Sequence, residues 1–380
     1  MNLMLLNTLF SEVKTSGLHG RYITNSDIEK CLENLSKPKI STLGYSVEER
    51  PIYSLKFGNG PIKILLWSQM HGNESTSTKT LFDCFNVFET EHEISKQILE
   101  QCTLEVIPIL NPDGAERYTR INANEVDLNR DAQDLSQPES KILRQAYIDF
   151  KPDYCFNLHG QRTIFSAGET NKVATLSFLS PAQDQERQLT ANRKAAMVII
   201  AQINELLQAE IPNGIGRYDD GFNLNCVGDT FQSFGVPTLL YEAGHYRNDY
   251  DREEVRRLMF IAVLKGLEVI VNGVHADAYK AYFDIPENAK CFYDIIIRNA
   301  KCRTMEGCVD IAIQYKEVLK QGKLEFIPII EEISKLNSKF GHKEIEANQF
   351  LVEAIGESEL NIGSEIDFVI LKNERISLKP

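Results

Sequence analysis

His71 and Glu74 stand three residues apart in His71-Gly-Asn-Glu74, an imidazole and a carboxylate able to hold one metal ion if a turn aims both inward. A catalytic zinc site takes three protein ligands and keeps a fourth position open, and mixed nitrogen and oxygen donors suit it. The pair alone is a short pattern that a loop histidine beside a helix-capping glutamate would also produce. His159, which closes the apolar run Tyr154-Cys-Phe-Asn-Leu-His159 just before Gly160, offers a third donor. Together the three favour a metal site. Glu242 ends Pro237-Thr-Leu-Leu-Tyr-Glu242 in the same manner. Its apolar neighbours would partly desolvate the carboxylate and raise its pKa toward the range useful for proton shuttling; taken alone, it reads as a strand-end glutamate at the surface. Between residues 117 and 130 the chain concentrates arginine and asparagine. Arginine grips carboxylates through two parallel hydrogen bonds that lysine cannot reproduce, although from composition alone a solvated polar loop is an even rival.

Positioning these groups requires strands that end where the chemistry begins. Ile62–Met70 is a short apolar run bounded by turn residues, followed by His71 and then a helical pattern from Thr76 to about Phe88. The alternation repeats: a strand over Thr103–Leu110 leads into Asn111-Pro-Asp-Gly114, read as a turn. A helix over Pro138–Phe150 precedes the strand ending at His159. Ala174–Leu179, a long helix over Asp184–Leu207, the strand ending at Glu242 and a helix over Arg252–Val271 continue the series. Alternating strands and helices predict an α/β fold with a mixed, largely parallel twisted sheet covered by helices on both faces. Sites in such sheets form at the carboxyl ends of strands, where His71, Asn111, His159 and Glu242 all fall. The expected division is a catalytic domain over residues 1–275, with a helical N-terminal segment over 1–35, and a small β-rich domain over 276–380.

The 380 residues are 43% hydrophobic and 25% charged, an ordinary globular balance. A net charge of −13 argues against nucleic acid, whose phosphates call for a basic surface. No apolar stretch is long enough for a membrane span, and the first residues read as a short helix rather than a secretory signal. Eight scattered cysteines without a C-x-x-C pair fit reduced thiols in the cytoplasm better than a disulfide framework.

Six segments, taken in order, resemble the zinc metallocarboxypeptidases over roughly residues 40–270. They are Tyr45-Ser-x-Glu-x-Arg-Pro-Ile-Tyr53, His71-Gly-Asn-Glu74, Asn111-Pro-Asp-Gly114, Val126-Asp-Leu-Asn-Arg130, Asn157-Leu-His159 and Thr238-Leu-Leu-Tyr-Glu242. The resemblance implies Zn2+ bound by His71, Glu74 and His159. It makes Glu242 the carboxylate that takes a proton from the attacking water and returns it to the leaving amine. Asn129 and Arg130 match the pair that grips the substrate's terminal carboxylate, Arg120 the arginine that polarises the scissile carbonyl, with Arg117 as its rival, and Tyr218 is the candidate for the substrate-capping tyrosine. Asn73 departs from the arginine of the digestive members, and His71-Gly-Asn-Glu74 is also the spelling in related N-acyl amino acid deacylases. The expected reaction is hydrolysis of an amide beside a free carboxylate, on a peptide or on a small N-acyl amino acid. A binding protein that kept the fold without catalysis is the third reading. The sequence fixes neither the preferred terminal residue nor the oligomeric state.

Overall fold

The computed structural model describes residues 1–303, 305–354 and 360–380. Its α-helices, in chain order, are α1 (Leu3–Val13), α2 (Asn25–Leu32), α3 (Thr76–Glu89), α4 (Glu93–Gln101), α5 (Pro112–Arg117), α6 (Pro138–Phe150), α7 (Ala191–Leu207), α8 (Val227–Ser233) and α9 (Glu253–Val271). The strands of the larger body are β1 (Lys39–Tyr45), β2 (Pro51–Phe57), β3 (Ile62–Ser68), β4 (Cys102–Ile107) and β5 (Tyr154–Gly160). They continue with β6 (Phe165–Ala167), β7 (Leu176–Leu179), β8 (Ile215–Arg217), β9 (Thr238–Ala243) and β10 (Asn288–Lys290).

Eight of these strands form one sheet in the order β1-β2-β4-β3-β5-β9-β7-β8. Its centre, β4-β3-β5-β9, is parallel, and antiparallel pairings bring in β2 on one side and β7 on the other. The reason lies in β3, which is apolar on both faces. Ile64 and Leu66 enter the core with Phe82 and Phe85 of α3 and Ile261 of α9. Leu65 and Trp67, pointing the other way, pack with Leu143 of α6 and Phe231 of α8. A strand buried on both faces reads as a continuous apolar run, and helices must cover each side. β4 and β5 lie on opposite sides of β3. The chain therefore reverses its direction of travel there, and a crevice opens beyond the strand ends.

Local chemistry sets the helix starts. Thr24 and Asp27 form a capping box that begins α2, so the expected N-terminal helical segment is two helices separated by a loop containing Gly17 and Gly20. α7 begins at Ala191 rather than at Asp184, because the Thr190 hydroxyl accepts from the Arg193 amide and caps it there. Asn111-Pro-Asp-Gly114, expected as a turn, opens the short helix α5, with Asn111 as its cap and Pro112 in the first turn.

The remaining strands are β11 (Phe292–Lys301), β12 (Cys308–Lys320), β13 (Lys323–Ser334), β14 (Phe340–Glu346), β15 (Val352–Ala354), β16 (Phe368–Leu371) and β17 (Glu374–Ser377). They form a four-stranded and a three-stranded sheet around a separate core that includes Ile295, Ile311, Ile313 and Val369. The 3-10 segment Ala276–Asp284 packs differently, sending Tyr282 into the larger core. β10 pairs with β6. The change of character thus falls near residue 291. Among the described residues no helix is long and apolar enough to cross a membrane.

Candidate metal centre and active site

The turn after β3 aims His71. Gln69 adopts a left-handed conformation, φ 49°, uncommon for a side-chain-bearing residue. Its amide group holds the turn by donating to the Gly72 and Ile23 carbonyls, each at 2.8 Å. Gly72 is forced by space: a Cβ there would lie 1.9 Å from the Gly114 carbonyl carbon. Asn111 ties the same loop down, donating to the Met70 carbonyl at 3.2 Å and accepting from the Gly114 amide at 2.8 Å. Asp113, fully buried, accepts from Ser46 at 2.7 Å and from Arg50 at 2.6 Å. Two segments of the sequence pattern, residues 45–53 and 111–114, therefore brace the metal turn and stay out of the chemistry themselves.

Three donors converge. His71 Nδ1 lies 2.9 Å from Glu74 Oε1, His159 Nδ1 lies 3.0 Å from Glu74 Oε2, and the two Nδ1 atoms face each other at 3.1 Å. Both imidazoles are buried. Two ring nitrogens and a carboxylate at this spacing match the edges of a tetrahedron around zinc, roughly 3.3 Å for bonds of about 2.0 Å. The residues fit Zn2+. The Gly160 amide donates to Glu74 Oε2 at 2.9 Å, and His71 Nε2 lies 3.1 Å from Asp127 Oδ1. A carboxylate on the far nitrogen of a metal-binding histidine fixes its ring and strengthens it as a ligand. Asp127 was not singled out from the sequence, although an aspartate two residues before Asn129 in the quoted segment was the signal available.

Electrostatics follows from this crowding. Burial disfavours a charged His71, but Glu74 and Asp127 outweigh it and raise the pKa to about 9. Burial pushes Glu74 up, and the two histidines more than reverse this, holding it well below the usual carboxylate range. His159 is lowered, chiefly by burial. The surroundings thus favour a proton on His71, which a metal would replace.

Glu242 lies directly across from His159 in the β5/β9 register. Its Oε2 is buried and has no hydrogen-bond partner among the described residues. Burial, then the nearby Glu74 charge, raise its pKa well above the ordinary value. Arg120 reaches the cluster from the other side, donating to Asp127 at 3.0 Å and to Glu74 at 3.4 Å. Its rival Arg117 is turned away into an ion pair with Glu48. Asn129 accepts from the Val227 amide at 3.0 Å, and the Arg130 guanidinium donates to the Asn129 carbonyl at 2.7 Å. Both line a cavity of about 250 Å³ together with Tyr218, Asp219 and Asp229. Tyr218 donates to Gln161 at 2.8 Å, and its hydroxyl is raised by burial and then by the charges of Glu242 and Glu74. A second cavity, about 580 Å³, opens beside Glu74 and Arg120 and shares no residue with the first.

Residues 28–198 match the family described as zinc carboxypeptidase. This segment, under half of the chain, is thus similar to the zinc carboxypeptidases. It is 31% identical to carboxypeptidase SOL1 of Arabidopsis thaliana over 163 residues, 37% of this chain and 33% of the relative. It is also 31% identical to mouse carboxypeptidase D over 165 residues, 36% of this chain and 12% of the relative. The chain spans a third or less of the length of these curated relatives. Among solved structures, a metallo-carboxypeptidase from Pseudomonas aeruginosa superposes with a TM-score of 0.52 at 20% identity, covering 66% of this chain and 69% of that one. The family's zinc agrees with the donor set present here.

Proposed function

We propose that the protein is a zinc-dependent peptidase that removes the terminal residue from the carboxyl end of peptides. The observation that carries this reading is the pairing of Glu242 with His159 across neighbouring strands, beside a cavity lined by Arg130. Zinc, when bound by His71, Glu74 and His159, supplies Lewis acidity at the carbonyl and makes water a stronger acid. Arg130 and Asn129 hold the terminal carboxylate, which fixes which amide meets the cluster. Glu242 Oε2 accepts a proton from the attacking water as its oxygen bonds to the carbonyl carbon. The same carboxyl then delivers that proton to the departing nitrogen as the C–N bond breaks. Arg120 offsets the negative charge that develops on the carbonyl oxygen, a role worth about 3–4 kcal/mol in comparable sites. Tyr218 closes over the terminal residue.

The cavity beyond Arg130 carries Asp219 and Asp229. Burial raises Asp229 to about 7, so a cationic side chain entering the cavity would ionise it. This supports preference for a polar or basic terminal residue over an aliphatic one. Eight unpaired cysteines support a reducing, cytoplasmic setting.

Cleavage of N-acyl amino acids is the second reading. The observation favouring it is that Gln314–Glu317 of β12 line the larger cavity, which narrows the acyl side. Zinc-loaded protein incubated with a mixed peptide pool and N-acyl amino acids, with products followed by mass spectrometry, tests both. Peptides shortened by one C-terminal residue are expected, with Glu242→Gln slower by about 10²–10⁴-fold and chelator-treated protein silent. Cleavage of the acyl amino acids alone would replace the first reading by the second.

A further inference from the structure

The larger cavity has two walls from different parts of the chain. On one side stand Glu74, Arg120 and Arg162 of the α/β body; on the other stand Lys316, Ile329 and Glu331 of β12 and β13. Under the proposed function the Arg130 cavity takes the departing residue. The larger one, bounded by Glu74 and Arg120, therefore receives the part of the substrate on the acyl side of the amide. From this we infer that the C-terminal β domain is part of the substrate site and limits the substrate to short, polar peptides.

Three observations carry it. First, the wall is fixed in place. Arg21 donates to Glu317 at 2.6 Å and Tyr118 to the other Glu317 oxygen at 2.7 Å, while Gln314 donates to Thr163 at 2.7 Å. Phe292 extends the junction by donating its amide to the Ile164 carbonyl at 3.1 Å. Glu317 and Arg21 are largely buried, so swinging the domain aside would strand charges without partners, which is strongly unfavourable. Second, the space is finite. About 580 Å³ falls among pockets that enclose a drug-sized ligand, roughly 300–1,000 Å³, and an extended residue spans about 3.3–3.6 Å. Residues ahead of the scissile bond therefore meet the wall of β12 and β13, which lines the same cavity as Glu74 and Arg120. Third, the outer wall is polar and carries both signs: Arg162, Lys316, Glu331 and Glu365 are all exposed there. Such a lining can pair with a free amino terminus and with acidic or basic side chains, and rewards apolar ones little.

The test is a ladder of polar peptides sharing one C-terminal pair and running from two to ten residues. Cleavage by the zinc-loaded full chain and binding to Glu242→Gln are both measured. kcat/KM and affinity should peak at the short members and fall about tenfold or more for the longest, with the loss in KM rather than kcat. Lys316→Ala and Ile329→Ala, which open the wall, should raise the long-to-short ratio. Equal cleavage and equal binding at every length would overturn the inference and leave the peptidase reading standing. Turnover of N-acyl amino acids alone, with only short peptides binding Glu242→Gln, would keep the length limit and remove the peptidase reading. Failure of every peptide to bind would remove both.

Discussion

Metal affinity and metal chemistry here depend on groups one step removed from the ligands. Asp127 touches His71 on its far nitrogen and Arg120 on its other oxygen, so it holds a candidate metal ligand and a neighbouring cation together. Asp127→Asn should weaken zinc binding by about 10–100-fold, measured by competition with a chromophoric chelator, while the circular dichroism spectrum stays the same. The proton on His71 makes a separate prediction. With its pKa raised to about 9, His71 is protonated below that value and must lose the proton to bind metal. Apparent zinc affinity should therefore fall about tenfold for each pH unit below 9. Calorimetry in buffers of different ionisation enthalpy should find about one proton released per zinc; no proton release would contradict it.

Elements hold those residues through buried charge as well as apolar packing. Arg256 of α9 grips Asp83 of α3 with two hydrogen bonds, at 2.6 and 2.7 Å, and neither side chain is exposed. It also donates to the Leu18 carbonyl, so one guanidinium joins two helices and the loop ahead of α2. Asp83→Ala removes the fully buried carboxylate and leaves Arg256 only the longer contact to Glu253 at 3.2 Å, which should cost about 3–5 kcal/mol, read from the urea midpoint. A loss below about 1 kcal/mol would mean the guanidinium finds water instead. At this scale much of the fold was legible. Strands β3, β5 and β9 announce themselves as apolar runs because they are buried on both faces, and each stops at a residue with chemistry to offer. What escaped was non-local. Gln69's left-handed turn depends on carbonyls at Ile23 and Gly72. The role of Ser46 and Arg50 depends on Asp113, more than sixty residues away. The start of α7 was misplaced because Pro181–Leu189 is compatible with a helix until Thr190 caps one. Arg120 and Arg117 look alike in sequence, and the positions of Asp127, Glu74 and Glu48 in the fold separate them.

Between the α/β body and the β domain lies a buried polar junction. The His245 and His342 rings stand 4.2 Å apart, and among the described residues neither His245 nitrogen has a hydrogen-bond partner. Burial lowers His342 to about 4 and His245 well below its ordinary value, whereas it raises Asp294 to about 6. The signs oppose. As pH falls from 6.5 toward 4, the unfolded chain gains protons on both histidines that the folded protein refuses, and stability drops. Over the same window folded Asp294 takes up a proton that an unfolded aspartate binds only at lower pH, and stability rises. Two groups act against one, so acid should destabilise the protein by up to about 1.4 kcal/mol per pH unit for each uncompensated histidine. The melting temperature should be lower at pH 5 than at pH 7, and His245→Phe should shrink the difference. An unchanged melting temperature would place the titration elsewhere.

The Arg21–Glu317 contact joins residues separated by almost three hundred positions. Burial pulls neighbouring Arg252 down to about 10, and the Arg21 charge pulls it further in the same direction, with Glu317 as the counterweight. During synthesis, when the chain emerges at about 5–20 residues per second, those two cations wait for their shared anion until the second domain is made. Every strand of the eight-stranded sheet, with His71, Glu74 and His159, lies ahead of residue 244 in the chain and so is synthesised well before that moment. On the proposed reading, the ligand set would be complete in the emerged chain before the wall on the acyl side of the cleft is made.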